Sequence, residues 1–158
     1  MKFLRKKDDD CYRIASMQAR LFAISADDEI PSYYFIKAFM YSKDAKMLDD
    51  LSFLLSGSSE AEIYLNILSC MKKKSGGTIY PKSIMHWIGF FYRYASYLTG
   101  IKSKELFEKI PPKYLLKVYP LYHGVDIQKA IQMVFDDLNF RKLTPQEVFM
   151  KEYLHRET

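Results

Sequence analysis

Between Ser83 and Leu98 the chain carries two apolar stripes, where an ordinary surface helix carries one. Ile84, Trp87, Ile88, Phe91, Ala95 and Leu98 recur at helical spacing and make a core face. His86, Phe90, Arg93 or Tyr94, and Tyr97 make the second stripe. A helix that is apolar or aromatic nearly all the way round is either central in its own fold or covered on its second side by a partner. Gly100 supplies its end, because glycine takes the left-handed conformation that closes a helix.

The rest of the chain also reads at helical period. Residues 9–25 space Tyr12, Ala15, Met17, Ala19, Phe22 and Ile24 in this way. Pro31 opens a helix with Tyr34, Phe35, Ala38, Phe39 and Tyr41 on its apolar side. Ser42 or Asp44 resets the chain into a segment carrying Met47, Leu48, Leu51, Leu54 and Leu55, closed by Gly57. Ser59-Glu60-Ala61-Glu62 is a capping box, and its helix carries Ile63, Tyr64, Ile67, Leu68 and Met71 before Ser75-Gly76-Gly77. Thr78-Ile79-Tyr80 reads as a short extended piece.

Ser103 is expected to cap a short helix through Phe107, and Pro111-Pro112 to seed another that Pro120 ends. Asp126 caps a helix with Ile127, Ala130, Ile131, Val134 and Phe135 on one face. Thr144-Pro145-Gln146-Glu147 is a second capping box, opening a terminal helix through about His155. No period-2 strand of useful length interrupts this pattern. The expected fold is all-α: one domain over 1–158, a single compact helical bundle of about seven helices with short loops. Residues 139–158 form its C-terminal helical extension, and Trp87, Ile88, Phe91, Ile131 and Val134 lie in the core.

Composition narrows the class of function. The 158 residues are 49% hydrophobic and 16% aromatic, which excludes a disordered chain and suffices for a core without staples. Cys11 and Cys70 have no paired spacing, so two reduced thiols of a cytoplasmic protein are expected. The basic start Lys2 to Lys7 turns acidic at Asp8 to Asp10 without the apolar core of a signal peptide, and no run is long enough to span a bilayer. A net charge of +5 raises nucleic-acid binding as a question without answering it.

No catalytic or metal-binding signature is present. His86 and His123 have no second ligand at helical or turn spacing, and no HExxH or paired-cysteine motif occurs. The carboxylates of Asp8 to Asp10, Asp27 to Glu29 and Asp49-Asp50 stand beside helix ends, where caps and dipoles explain them. No glycine-rich phosphate loop or nucleophile elbow appears. The chain therefore reads as a non-enzyme with no cofactor and no metal. Arg93 among aromatics either pairs with a buried carboxylate (Asp126, Asp136 or Asp137) or contacts a partner.

Trp87-Ile88-Gly89-Phe90-Phe91-Tyr92-Arg93-Tyr94 is similar to the W-I-G-Y-x-Y-R-Y core of a bacterial family of small helical antitoxins. Ser103 to Leu106, Ile110 to Leu115, Tyr119 to His123 and Asp126 to Ile131 follow in that family's order, and Phe35 to Asp49 resembles an earlier stretch of it. The likeness runs to about Leu138 and departs at Phe90, where the family often has tyrosine, and at Gly124, where it often has threonine. What the resemblance implies is a protein-binding module that neutralises a toxin encoded beside it.

Such a role needs a tight surface, for which Tyr92, Arg93, Tyr94 and Tyr97 are the expected anchors, with Tyr119, Tyr122 and His123 along the same side. The alternative is a nucleic-acid-binding transcriptional regulator, which requires the basic clusters to share one face. An enzyme would instead require His86, Arg93 and His123 to converge in one pocket.

Overall fold

A computed structural model of the chain describes residues 5–50, 57–71 and 76–139, with side chains from residue 10 onward. Eight α-helices and no strand occur among them: α1 Arg5–Asp27, α2 Ser32–Met40, α3 Lys43–Asp49, α4 Glu60–Cys70, α5 Lys82–Thr99, α6 Ser103–Lys109, α7 Pro112–Tyr122 and α8 Ile127–Asp137. The all-α expectation is borne out. The second capping box and the terminal helix expected at 144–155 lie outside the described residues, as do Leu51, Leu54 and Leu55.

The two long helices α1 and α5 form the spine and run antiparallel. Lys82 at the start of α5 pairs with Asp27 at the end of α1 at 2.6 Å. About two turns along α5, Gly89 meets Phe22, and beyond it Arg93 meets Gln18. Part of the second stripe of α5, Arg93 and Phe90, thus faces α1. Met85, Ile88, Phe91, Tyr92 and Ala95 are fully buried, while Trp87, expected in the core, is only partly buried and packs against its edge. Ile88, Phe91, Ile131 and Val134 are core residues as expected.

Around the spine, Phe22 meets Phe35 and Phe39 of α2 edge to face, with centroids 5.6 and 5.1 Å apart. Ile63 and Ile67 of α4, Leu106 and Phe107 of α6, Leu115 and Val118 of α7, and Ala130, Ile131 and Val134 of α8 close the core. Helix starts follow their residue chemistry. Ser42, Ser59 and Asp126 each accept a hydrogen bond from the first free backbone N–H groups of α3, α4 and α8. Gly100 ends α5 at φ 75°.

Two local expectations are corrected. Pro120 does not end α7, which continues to Tyr122. It stands in the last turn, so it forfeits one intrahelical bond and no long helix beyond it. Ser103 is the first residue of α6 and not its cap; Lys102 takes the cap position with extended backbone. The piece at 78–80 is non-helical and is tied to the start of α2: the Ser32 N–H donates to the Thr78 carbonyl at 3.1 Å and the Ser32 hydroxyl accepts from the Tyr80 N–H at 2.8 Å.

Gly89 is the tightest point of the spine. A Cβ there would stand 2.9 Å from the Gln18 carbonyl oxygen and 3.0 Å from the Ala19 Cα. Both are backbone atoms that cannot rotate aside. Alanine at a helix interior ordinarily gains about 1 kcal/mol over glycine. Here the clash outweighs it, and Gly89→Ala is expected to lower stability by about 1–3 kcal/mol, read as a lower urea midpoint with an unchanged slope. An unchanged or raised midpoint would contradict the close approach.

Candidate functional site

Arg93 lies inside the fold, its side chain 0% exposed. A guanidinium is tolerated there only if its charge is paired and its donors are met. Nη1 donates to Asp49 Oδ1 at 2.5 Å, Nη2 to Ser103 Oγ at 2.9 Å, and Nε to Gln18 Oε1 at 2.7 Å. The ion partner is therefore Asp49 on α3, whose side chain is 2% exposed, and not Asp126, Asp136 or Asp137. Those three stand at the start and end of α8, while Arg93 faces α1, α3 and α6.

The partners are themselves complete. Gln18 Nε2 donates to the Gly89 carbonyl at 3.1 Å, so both ends of its amide are used and its orientation is fixed. Asp49 accepts from the Ser103 hydroxyl at 2.6 Å and the Ser103 N–H at 2.9 Å, capping α6 from a distance. Among the described residues no buried side-chain nitrogen or oxygen lacks a hydrogen-bond partner.

Four more of the expected anchors turn inward or are engaged. Tyr92 is fully buried and donates its hydroxyl to the Ile110 carbonyl. Tyr94 is nearly so, stacked on Phe90 at 5.7 Å with its hydroxyl accepting from Gln128. Tyr97 donates to the Leu48 carbonyl at 3.2 Å and covers Arg93 with its ring. Tyr122 donates to Asp137, which also accepts from Tyr114 at 2.8 Å. Enclosed side chains such as Tyr92 and Arg93 offer a partner nothing in this conformation.

Tyr119 and His123 do stand together, and they lead to an open groove of about 360 Å³. Its walls are Tyr12 and Ser16 of α1; Ser83, His86, Trp87 and Phe90 of α5; Tyr119 of α7; and His123, Val125 and Ile127 around the turn into α8. The rings interlock. Tyr12 meets Phe90 edge to face at 5.1 Å, Trp87 meets Tyr119 at 5.6 Å, and the Tyr119 and His123 rings stack at 4.3 Å. His123 Nδ1 lies 2.7 Å from the Tyr119 carbonyl oxygen, which assigns the proton of that bond to Nδ1.

Burial, then the charge of Arg20, hold His86 below the usual histidine range, so it is neutral at pH 7. Every wall residue is thus aromatic, aliphatic, hydroxyl or imidazole, with no carboxylate, lysine or arginine among them. His86 and His123 share the groove but Arg93 does not, so the three-residue constellation of the enzyme reading is not assembled. No cluster of three or more metal-ligating side chains occurs among the described residues.

No protein-family model, no curated protein and no solved structure matches the chain. Among the described residues no helix is long and apolar enough to cross a membrane.

Two predictions follow from these partners. Arg93→Met leaves the Asp49 carboxylate buried without its cation and is expected to cost about 3–5 kcal/mol in a denaturation experiment. Adding Asp49→Leu should recover part of that loss; no recovery would mean the pair is not what holds the site. Asp137 is a second case. Its hydroxyl bond from Tyr122, then that from Tyr114, hold its carboxyl below the usual range. A depressed carboxyl stabilises the fold above the unfolded value near ~3.9 and loses that contribution as pH falls through the folded value. The Tyr114→Phe/Tyr122→Phe variant should therefore lose less stability than wild type between about pH 5 and pH 2, measured by urea midpoints.

Proposed function

We propose that the protein is a non-catalytic binding module that seats a protein partner in the aromatic groove between α1, α5, α7 and α8. The single observation that carries this reading is the lining: large rings, no carboxylate, lysine or arginine, and a rim residue, Tyr12, that is 59% exposed. Exposed tyrosine and tryptophan beside small hydroxyls are the chemistry of protein hot spots, because they desolvate a large area at low entropic cost. The partner role best supported is the one implied by the W-I-G-F-F-Y-R-Y resemblance: an antitoxin that occludes a toxin encoded next to it.

In this proposal the contact residues are Tyr119 and His123, joined by Tyr12, Trp87 and Phe90. Tyr94 acts behind them by stacking on Phe90. Tyr92, Arg93, Tyr97 and Tyr122 serve the fold that shapes the groove.

The test is growth of cells expressing the neighbouring gene, with and without this protein, followed by co-purification. Relief of toxicity with a stable complex is the expected result, and Tyr12→Ala and Tyr119→Ala should each weaken that complex by more than about 1 kcal/mol. A harmless neighbour would remove the antitoxin role. A complex indifferent to both substitutions would remove the groove as its seat.

A further inference from the structure

A second surface, sharing no residue with the groove, is built on α2 and α6. Tyr33, Lys37 and Tyr41 succeed one another at four-residue spacing, which puts them on one side of α2. Tyr33 is 43% and Tyr41 37% exposed, although both are large rings. Phe107 of α6, itself buried, supports both, with centroids 5.7 Å from Tyr33 and 5.6 Å from Tyr41.

Two ammonium groups flank the outer ring, Lys37 at 5.9 Å and Lys104 at 5.3 Å from the Tyr41 centroid. Neither belongs to an ion pair among the described residues. Of the carboxylates of α6, Glu108 accepts from the Tyr41 hydroxyl at 3.0 Å and so stands on the ridge itself, while Glu105 pairs with Lys109 at 3.9 Å. The ridge therefore presents two exposed rings with two lysines against one carboxylate, a net positive charge.

We propose that the Tyr33–Lys37–Tyr41 ridge, with Lys104, is a docking surface for single-stranded nucleic acid. Exposed rings give unpaired bases a stacking platform, and lysines placed between rings meet the phosphates that link those bases. A duplex hides its base faces and has no use for the rings. An acidic peptide would satisfy the lysines but leaves Tyr33 without a planar partner. Recognition of this kind needs no helix in a groove, so it is compatible with a chain that lacks a base-reading helix.

The test is fluorescence anisotropy of short labelled oligothymidylate and oligouridylate with the full chain, at about 50 and about 200 mM salt. Binding of either is expected, weakening with salt; the two oligomers tell DNA from RNA preference. Tyr33→Ala should weaken binding by roughly fivefold or more, the loss of one stacked base. Lys37→Ala/Lys104→Ala should flatten the salt dependence by roughly 1.4 in logarithmic slope. All three residues are exposed, and circular dichroism checks that the variants keep their helices. No binding by wild type, binding unaffected by either variant, or displacement of the oligomers by polyglutamate at equal charge would overturn the proposal.

Discussion

The buried Arg93–Asp49 pair is the interaction on which the arrangement of the helices depends. Its hydrogen bonds join α5 to α1 through Gln18, to α3 through Asp49 and to α6 through Ser103. Apolar seams tolerate sliding, because one leucine-sized contact substitutes for the next. A fork of guanidinium donors does not, since each donor finds its acceptor at one register only. The desolvation of two charges is costly, and the pair offsets it by using the same carboxylate to cap α6. The four helices α1, α3, α5 and α6 are thereby held to one geometry.

Gly89 and Arg93 belong to one device. They are four residues apart, on the side of α5 that faces α1. Without a Cβ at Gly89 the two backbones approach until the Gln18 amide reaches the Gly89 carbonyl. That bond leaves Gln18 Oε1 directed to Arg93 Nε. A larger residue at position 89 would push α1 outward and strip the guanidinium of one acceptor. Close approach and charge burial thus come from the same turn of the same helix.

Much of this fold was legible in the sequence and the central network was not, for a physical reason. Caps such as Ser59 and Asp126, the stop at Gly100 and the core face of Ile88 and Phe91 are local patterns, set by neighbours within a turn or two. The partner of Arg93 is 44 positions away, and several carboxylates offer it equal chemistry, so no local pattern singles out α3 over α8. Ser103 looked like a cap because serine caps; the pull of a buried carboxylate on its hydroxyl is tertiary and leaves no local mark. The same limit applies to the groove. Tyr119 and His123 were picked out by type, but Tyr12 enters from α1, where its stripe reads as core.

The two-stripe helix α5 resolves into an inside and an edge. Its inner residues are spent on the fold, and what remains for recognition is the edge where Trp87 and Phe90 meet rings from α1 and α7. That edge is only as firm as the hold on α7 and α8. Tyr114 and Tyr122 of α7 both donate to Asp137 at the end of α8, so one carboxylate clasps the two helices that supply Tyr119 and Ile127 to the groove. The clasp lies at the surface and involves no groove residue. Protonating it would weaken both hydrogen bonds at once, whereas the spine is tied independently by Arg93.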